Sequence, residues 1–215
     1  MARLGRAIRE QVMTTIAGVQ GDGWAVVASD SKIVSVDDAG TVFGTSLLSD
    51  ENGKVAQNGR YLLGAAGDVR SINLIHHAFR PPVPDRLLEG AKLDQFITRR
   101  FIPSLRKLFD DHGYSSQANK KAEHDSTIIA VVNATIYVIE NDYAWAPDNQ
   151  GIYAIGSGAQ YALGAIHAFS YGKTFKSVAE AERALSKSVE IAARFDPNTG
   201  SPVRINIQTT DRRKR

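Results

Sequence analysis

The 215-residue chain has no cysteine at all. Disulfides, thiolate metal sites and cysteine nucleophiles therefore lie outside its chemistry, which suits a reducing compartment and makes a cytoplasmic location the expectation. It also lacks any run of about 18 apolar residues, so no helix of a membrane-spanning kind is expected. The first dozen residues carry Arg3, Arg6 and Arg9 without a continuous apolar stretch, unlike a secretory signal. Charge of one sign is scarce too: the net charge is +3, and Arg212, Arg213, Lys214 and Arg215 crowd at the end. Four terminal charges read as a solvated tail rather than a specific nucleic-acid site. His76-His77 has no ligand partner at i+4, and no His-Glu-x-x-His occurs, so neither a metal nor a cofactor is expected. What is present is 43% apolar and 23% charged residues, the make-up of one ordinary globular domain.

Strand and helix periods alternate along that domain. Residues 1–13 read as a short amphipathic or irregular leader. Two β-rich runs, Thr14–Val19 and Trp24–Ser29, face each other across Gly21-Asp22-Gly23 as a hairpin. Ile33–Asn52 is looser, with one short strand expected near Thr41–Gly44. Gly53–Gln57 and Tyr61–Ala66 pair across Asn58-Gly59, and a helix follows over Asp68–Phe79, ended by prolines 81, 82 and 84. Leu93, Phe96, Ile97, Phe101, Leu105, Leu108 and Phe109 mark one helical face, which Pro103 should kink or split. Tyr114–Asp125 reads as loop, Ser126–Val132 and Thr135–Glu140 as a strong hairpin, and Ile152–Ile155 as a strand. Helices over 159–170 and 178–194 and a last strand over Ile205–Gln208 complete an α+β order, which suggests two antiparallel sheets packed face to face under helices.

Several positions carry polar groups where a fold could use them. Thr14 and Thr15 open a strand, and Asp30 ends the next one. Lys32 and Lys54 flank the loose region. Gly156-Ser157-Gly158 separates a strand from a helix, where glycines let backbone approach closely and the helix start presents N–H groups. Asp196-Pro197-Asn198-Thr199-Gly200 follows the last helix. Taken singly, each has an ordinary explanation: β-propensity for the threonines, turn formation for Asp30 and for 196–200, a helix cap for Ser157. His124-Asp125-Ser126 names three triad residue types, but side chains of adjacent residues cannot line up as a relay.

Taken together and in order, these segments resemble the proteasome β-subunit and HslV family of N-terminal-nucleophile hydrolases, nearest to the proteasome-like proteins of bacteria and their phages. The resemblance runs from Thr14 to about residue 208 and implies a four-layer αββα sandwich. It implies Thr14 as nucleophile, with Asp30 as the carboxylate that orients a lysine. Lys54, in Gly53-Lys54-Val55, matches the family context for that lysine; Lys32, two residues past Asp30, is the alternative. Ser157, Asp196 and Thr199 would complete the polar network, and Gly67 would give a backbone N–H to the oxyanion. A threonine hydroxyl needs a base, and an N-terminal threonine supplies its own α-amine, which titrates near ~7.7–8.0.

The implied protein is a threonine-type endopeptidase working as a self-compartmentalising homo-oligomeric ring, hexameric or heptameric and stacked or single. It would act on protein or peptide substrates fed by an ATP-dependent unfoldase. The division expected is a leader over 1–13, the domain over 14–209 and a basic tail over 210–215. Two features depart from the family. Thirteen residues precede Thr14, and Met13 stands where self-cleaving precursors place glycine; a start of translation at Met13 would expose Thr14 directly. The alternative is an unprocessed, non-catalytic assembly protein, virion-associated if phage-encoded, that keeps the fold. An amidohydrolase of the same superfamily fits less well, because those enzymes usually open on Cys or Ser.

Overall fold

The architecture was obtained as a computed structural model, which describes residues 9–36, 42–48, 53–118 and 121–210. Two sheets dominate. The smaller joins β2 (Ile16–Gly21), β3 (Trp24–Ser29), β12 (Ile152–Ile155) and β13 (Arg204–Thr209) in the order β12-β2-β3-β13. The larger runs β11-β10-β7-β1-β4-β5, built from β1 (Arg9–Val12), β4 (Lys32–Val36), β5 (Val42–Leu47), β7 (Tyr61–Asp68), β10 (Ser126–Val132) and β11 (Thr135–Ile139). A seventh strand, β6 (Val55–Asn58), shares one edge of β7 with β1: β6 pairs with residues 61–64, β1 with residues 67–68.

The period-two alternation of the strands decides how the sheets stack. Ala25 and Val27 of β3, Leu62 and Ala66 of β7, and Ile129 and Val131 of β10 meet between the sheets. Their neighbours Val26 and Ala28 face α4 (Ala159–Ser170) and α5 (Val178–Phe195), where Ile166, Leu185 and Val189 complete a second core. Leu63, Ala65, Ile128 and Ala130 face outward from the larger sheet onto α1 (Val69–Asn73), α2 (Gly90–Phe96) and α3 (Ile102–Asp111). The result is four layers, helix, sheet, sheet, helix, as expected. Burial of large side chains such as Tyr61, Phe101, Phe109 and Leu93 contributes about 1.5–3 kcal/mol each for an aliphatic or Phe-sized group.

Four local expectations are corrected. The leader is not irregular throughout: Arg9–Val12 is a strand of the larger sheet. Among the described residues of 33–52 there are two strands rather than one, β4 and β5, paired antiparallel with a register shift between Ser35 and Val36. Pro103 does not split its helix in two; the turn before it widens into a π segment, Ile97–Phe101, and α3 continues with proline in its first turn. Residues 114–125, read as loop, contain the small ladder of β8 (Ser116–Ala118) and β9 (Lys121–Glu123). Residues 1–8, 37–41, 49–52, 119–120 and 211–215, including most of the leader and of the basic tail, lie outside the described residues.

Candidate active site

Thr14 and Thr15 occupy the crossing from β1 in one sheet to β2 in the other, and both are fully buried. Thr15 extends the β2–β3 ladder by one step, since the Asp30 N–H donates to the Thr15 carbonyl at 3.1 Å. That pairing turns the Asp30 side chain back under the threonines. Its Oδ1 accepts from the Thr15 N–H at 3.0 Å and from Lys54 Nζ at 2.7 Å. Its Oδ2 accepts from the Lys32 N–H at 3.1 Å and the Gly200 N–H at 3.0 Å. An ionised carboxylate is an acceptor only, and here both oxygens are satisfied by four donors.

The lysine beside Asp30 is Lys54. It enters at the head of β6 with no exposed surface, which among charged residues happens essentially when a partner is present. Burial pushes its ammonium below the ordinary lysine value, while Asp30 opposes the shift. The same Nζ donates to the Met13 carbonyl oxygen at 3.3 Å, so the cation touches the peptide bond that precedes Thr14. Lys32 goes elsewhere: its Nζ donates to the Pro197 carbonyl at 2.5 Å. The Thr14 hydroxyl is buried and has no hydrogen-bond partner among the described residues.

A second polar group lies on the other side of the threonines. Ser157 Oγ donates to Asp196 Oδ2 at 2.7 Å, and Thr199 Oγ1 donates to the same oxygen at 2.5 Å. Thr199 Oγ1 also lies 2.6 Å from Thr15 Oγ1. Backbone closeness explains the glycines here. A Cβ on Gly156, whose φ is +94°, would sit 1.9 Å from the Thr14 carbonyl oxygen, and one on Gly158 would sit 2.1 Å from Thr15 Oγ1. No side chain larger than hydrogen fits either place. Gly67, the penultimate residue of β7, has φ +137° and stands opposite Val12 in the ladder. Thus Asp30, Lys54, Ser157, Asp196 and Thr199 gather around residues 14–15, and the Lys32 side chain is turned away to the 196–200 loop.

Comparison with solved structures gives the fold its name. The chain superposes on Thiobacillus denitrificans BPH (a bacterial proteasome homologue) with a TM-score of 0.69 at 19% identity, over 93% of this chain and 100% of that one. The same protein in complex with epoxomicin gives 0.67 at 20% identity, over 92% and 100%. The eukaryotic HslV of Trypanosoma brucei gives 0.59 at 20%, over 91% and 99%. The fold is that of the proteasome and HslV. No family model matches the sequence, and none of the curated proteins matches it.

Within this proteasome-like sandwich, sequence reasoning missed three contributors. The Gly200 N–H and the Met13 carbonyl are backbone groups, invisible to a search by side-chain type. Thr15 was visible as the second member of a polar pair at the head of a strand. Alternation sends neighbours to opposite faces, so the pair had to serve two different surroundings. The His124 side chain is 1% exposed and packs against Phe109 and Tyr143, away from these residues.

Proposed function

We propose that this proteasome-like chain is a threonine-type endopeptidase whose nucleophile, Thr14, acts once residues 1–13 are removed. The observation that carries the reading is the Lys54 ammonium. It is held by Asp30 and donates to the carbonyl of the Met13–Thr14 bond, the bond whose cleavage would free the amine that the nucleophile needs. While that bond is intact, the Thr14 nitrogen is an amide and has no lone pair to offer as a base.

After removal, the chemistry divides among residues already in place. The Thr14 hydroxyl attacks a substrate carbonyl and its own α-amine accepts the hydroxyl proton. The Lys54 ammonium lowers the energy of negative charge on the threonine oxygen, and Asp30 keeps that ammonium aimed. The Gly67 N–H is the donor assigned to the oxyanion. The α-amine then delivers its proton to the leaving amine, and water hydrolyses the ester on Thr14. The strand position of β1, antiparallel to both β4 and β7 and leading directly to Thr14, supports an extended polypeptide as the substrate class. A homo-oligomeric ring fed by an unfoldase is the assembly this reading carries with it.

One observation favours a second reading, a non-catalytic assembly protein: β1 is hydrogen-bonded into the larger sheet on both sides rather than lying loosely on its surface. The test compares protein beginning at Thr14 with the same protein carrying Thr14→Ala, using an unfolded polypeptide as substrate. The peptidase reading expects Thr14→Ala to lose at least about 10³-fold in kcat/KM. Equal, background-level cleavage by both would overturn it, and mass spectrometry of the natively produced chain would then show an N-terminus upstream of residue 14.

A further inference from the structure

The two polar groups of the site meet at a single side chain that neither the nucleophile nor the lysine–carboxylate couple accounts for. Thr15 gives its backbone N–H to Asp30 Oδ1 at 3.0 Å and places its hydroxyl 2.6 Å from Thr199 Oγ1. Hydroxyl chemistry settles the direction of the second bond. A hydroxyl carries one proton, and Thr199 spends its own on Asp196 Oδ2 at 2.5 Å. Thr15 therefore donates, and Thr199 accepts from it. Ser157 donates to Asp196 as well, at 2.7 Å, so every hydroxyl proton in the chain runs toward one carboxylate. Thr15 and Thr199 are buried to within 3% of full enclosure, and Gly158 is pressed against the Thr15 hydroxyl. Water cannot replace that bond without displacing backbone.

We propose that Thr15 is a positioning residue: its hydroxyl locks the 196–200 loop, and with it Ser157, to the strand head that carries Thr14. The proposal rests on the reading of Thr14 as nucleophile. The geometry is specific about what is fixed. Asp30 receives the N–H of Gly200, the residue after Thr199, so the end of the loop is tied to the strand head twice, once by the carboxylate and once by Thr15. Losing the Thr15 donor leaves Thr199 held by Asp196 alone and cuts the hydroxyl link between the Asp196–Ser157 pair and the strand head beside residue 14. The chemical step suffers from such a displacement, whereas binding of an extended substrate between β4 and β7 does not.

The experiment uses Thr15→Val, which keeps the shape and removes the donor, and Thr15→Ser, which keeps the donor. In protein beginning at Thr14, acting on a quenched-fluorescent unstructured polypeptide, Thr15→Val should lower kcat at least ~10-fold with KM within ~2-fold. Thr15→Ser should restore kcat. In the full chain, amide exchange at Thr199 and Gly200 should quicken ~10-fold in Thr15→Val and not in Thr15→Ser, while β10 and β11 stay unchanged. A kcat for Thr15→Val within ~3-fold of its parent, or a serine variant as slow as the valine one, would overturn the proposal. If the parent beginning at Thr14 cleaves nothing, the peptidase reading falls by itself. Unaltered exchange in Thr15→Val would then overturn the lock, and quickened exchange would support it.

Discussion

Replacing Asp30 by asparagine tests the physical centre of the site without any assay of activity. The carboxylate takes two donors on each oxygen: the Thr15 N–H and Lys54 Nζ on Oδ1, the Lys32 and Gly200 N–H groups on Oδ2. An amide has one acceptor oxygen and one NH2. Whichever way it turns, two buried donors face another donor. Each orphaned donor costs about 1–3 kcal/mol, and breaking a buried ion pair by removing one partner typically costs about 3–5 kcal/mol, so Asp30→Asn should lose about 3–5 kcal/mol. Lys54→Met should cost less, about 1–2 kcal/mol, because Asp30 keeps three N–H donors and methionine fills much of the lysine stem. In the double variant the two losses should fall short of their sum by at least about 1 kcal/mol. Urea unfolding of the three variants and the parent, at one fixed protein concentration, gives the four numbers. A cost below about 1 kcal/mol for Asp30→Asn, or additivity within about 0.5 kcal/mol, would refute the reasoning.

Two further outcomes follow from other parts of the molecule. Burial lowers the His124 imidazole to about 4 from 6.5, opposed by the Glu140 backbone, Asp125 and Asp142. Between those pH values the unfolded chain binds the extra proton, so stability should fall by about 3 kcal/mol as pH drops from 6.5 to 4, and His124→Leu should flatten that slope in pH-dependent unfolding. Among the described residues, β4 pairs with β1 and β5 alone, so β1 is the strand joining the β4–β5 hairpin to β7. Protein beginning at Thr14 should therefore show faster amide exchange over residues 32–36 than the full chain, with β10–β11 unchanged; equal protection would show that the hairpin holds itself in place.

Legibility in the sequence followed the locality of each signal. The β10–β11 hairpin, α4 and α5 were readable because β-branched runs, turn residues and three-to-four spacing are properties of short segments. Strand β1 was not, since Arg-Glu-Gln-Val has no pattern of its own and becomes a strand by lying between two edges. Nor was the choice between the lysines. Asp30 and Lys32 are two apart and would share a face on a continuous strand, but the chain breaks between β3 and β4. Lys32 then meets Asp30 through its backbone N–H and sends its side chain to Pro197. The π segment before Pro103 was hidden because the same apolar spacing fits a helix that bends and one that widens its turn.

The point where the chain passes from β1 to β2 is also where it leaves one sheet and joins the other. A cut between Met13 and Thr14 would thus fall along a natural seam. Every ladder that anchors residue 14 through β2 and β3 would survive it, and the strand released, Arg9–Val12, belongs to the opposite layer. The freshly exposed end would inherit its orientation ready-made, with no refolding asked of the strand that bears it.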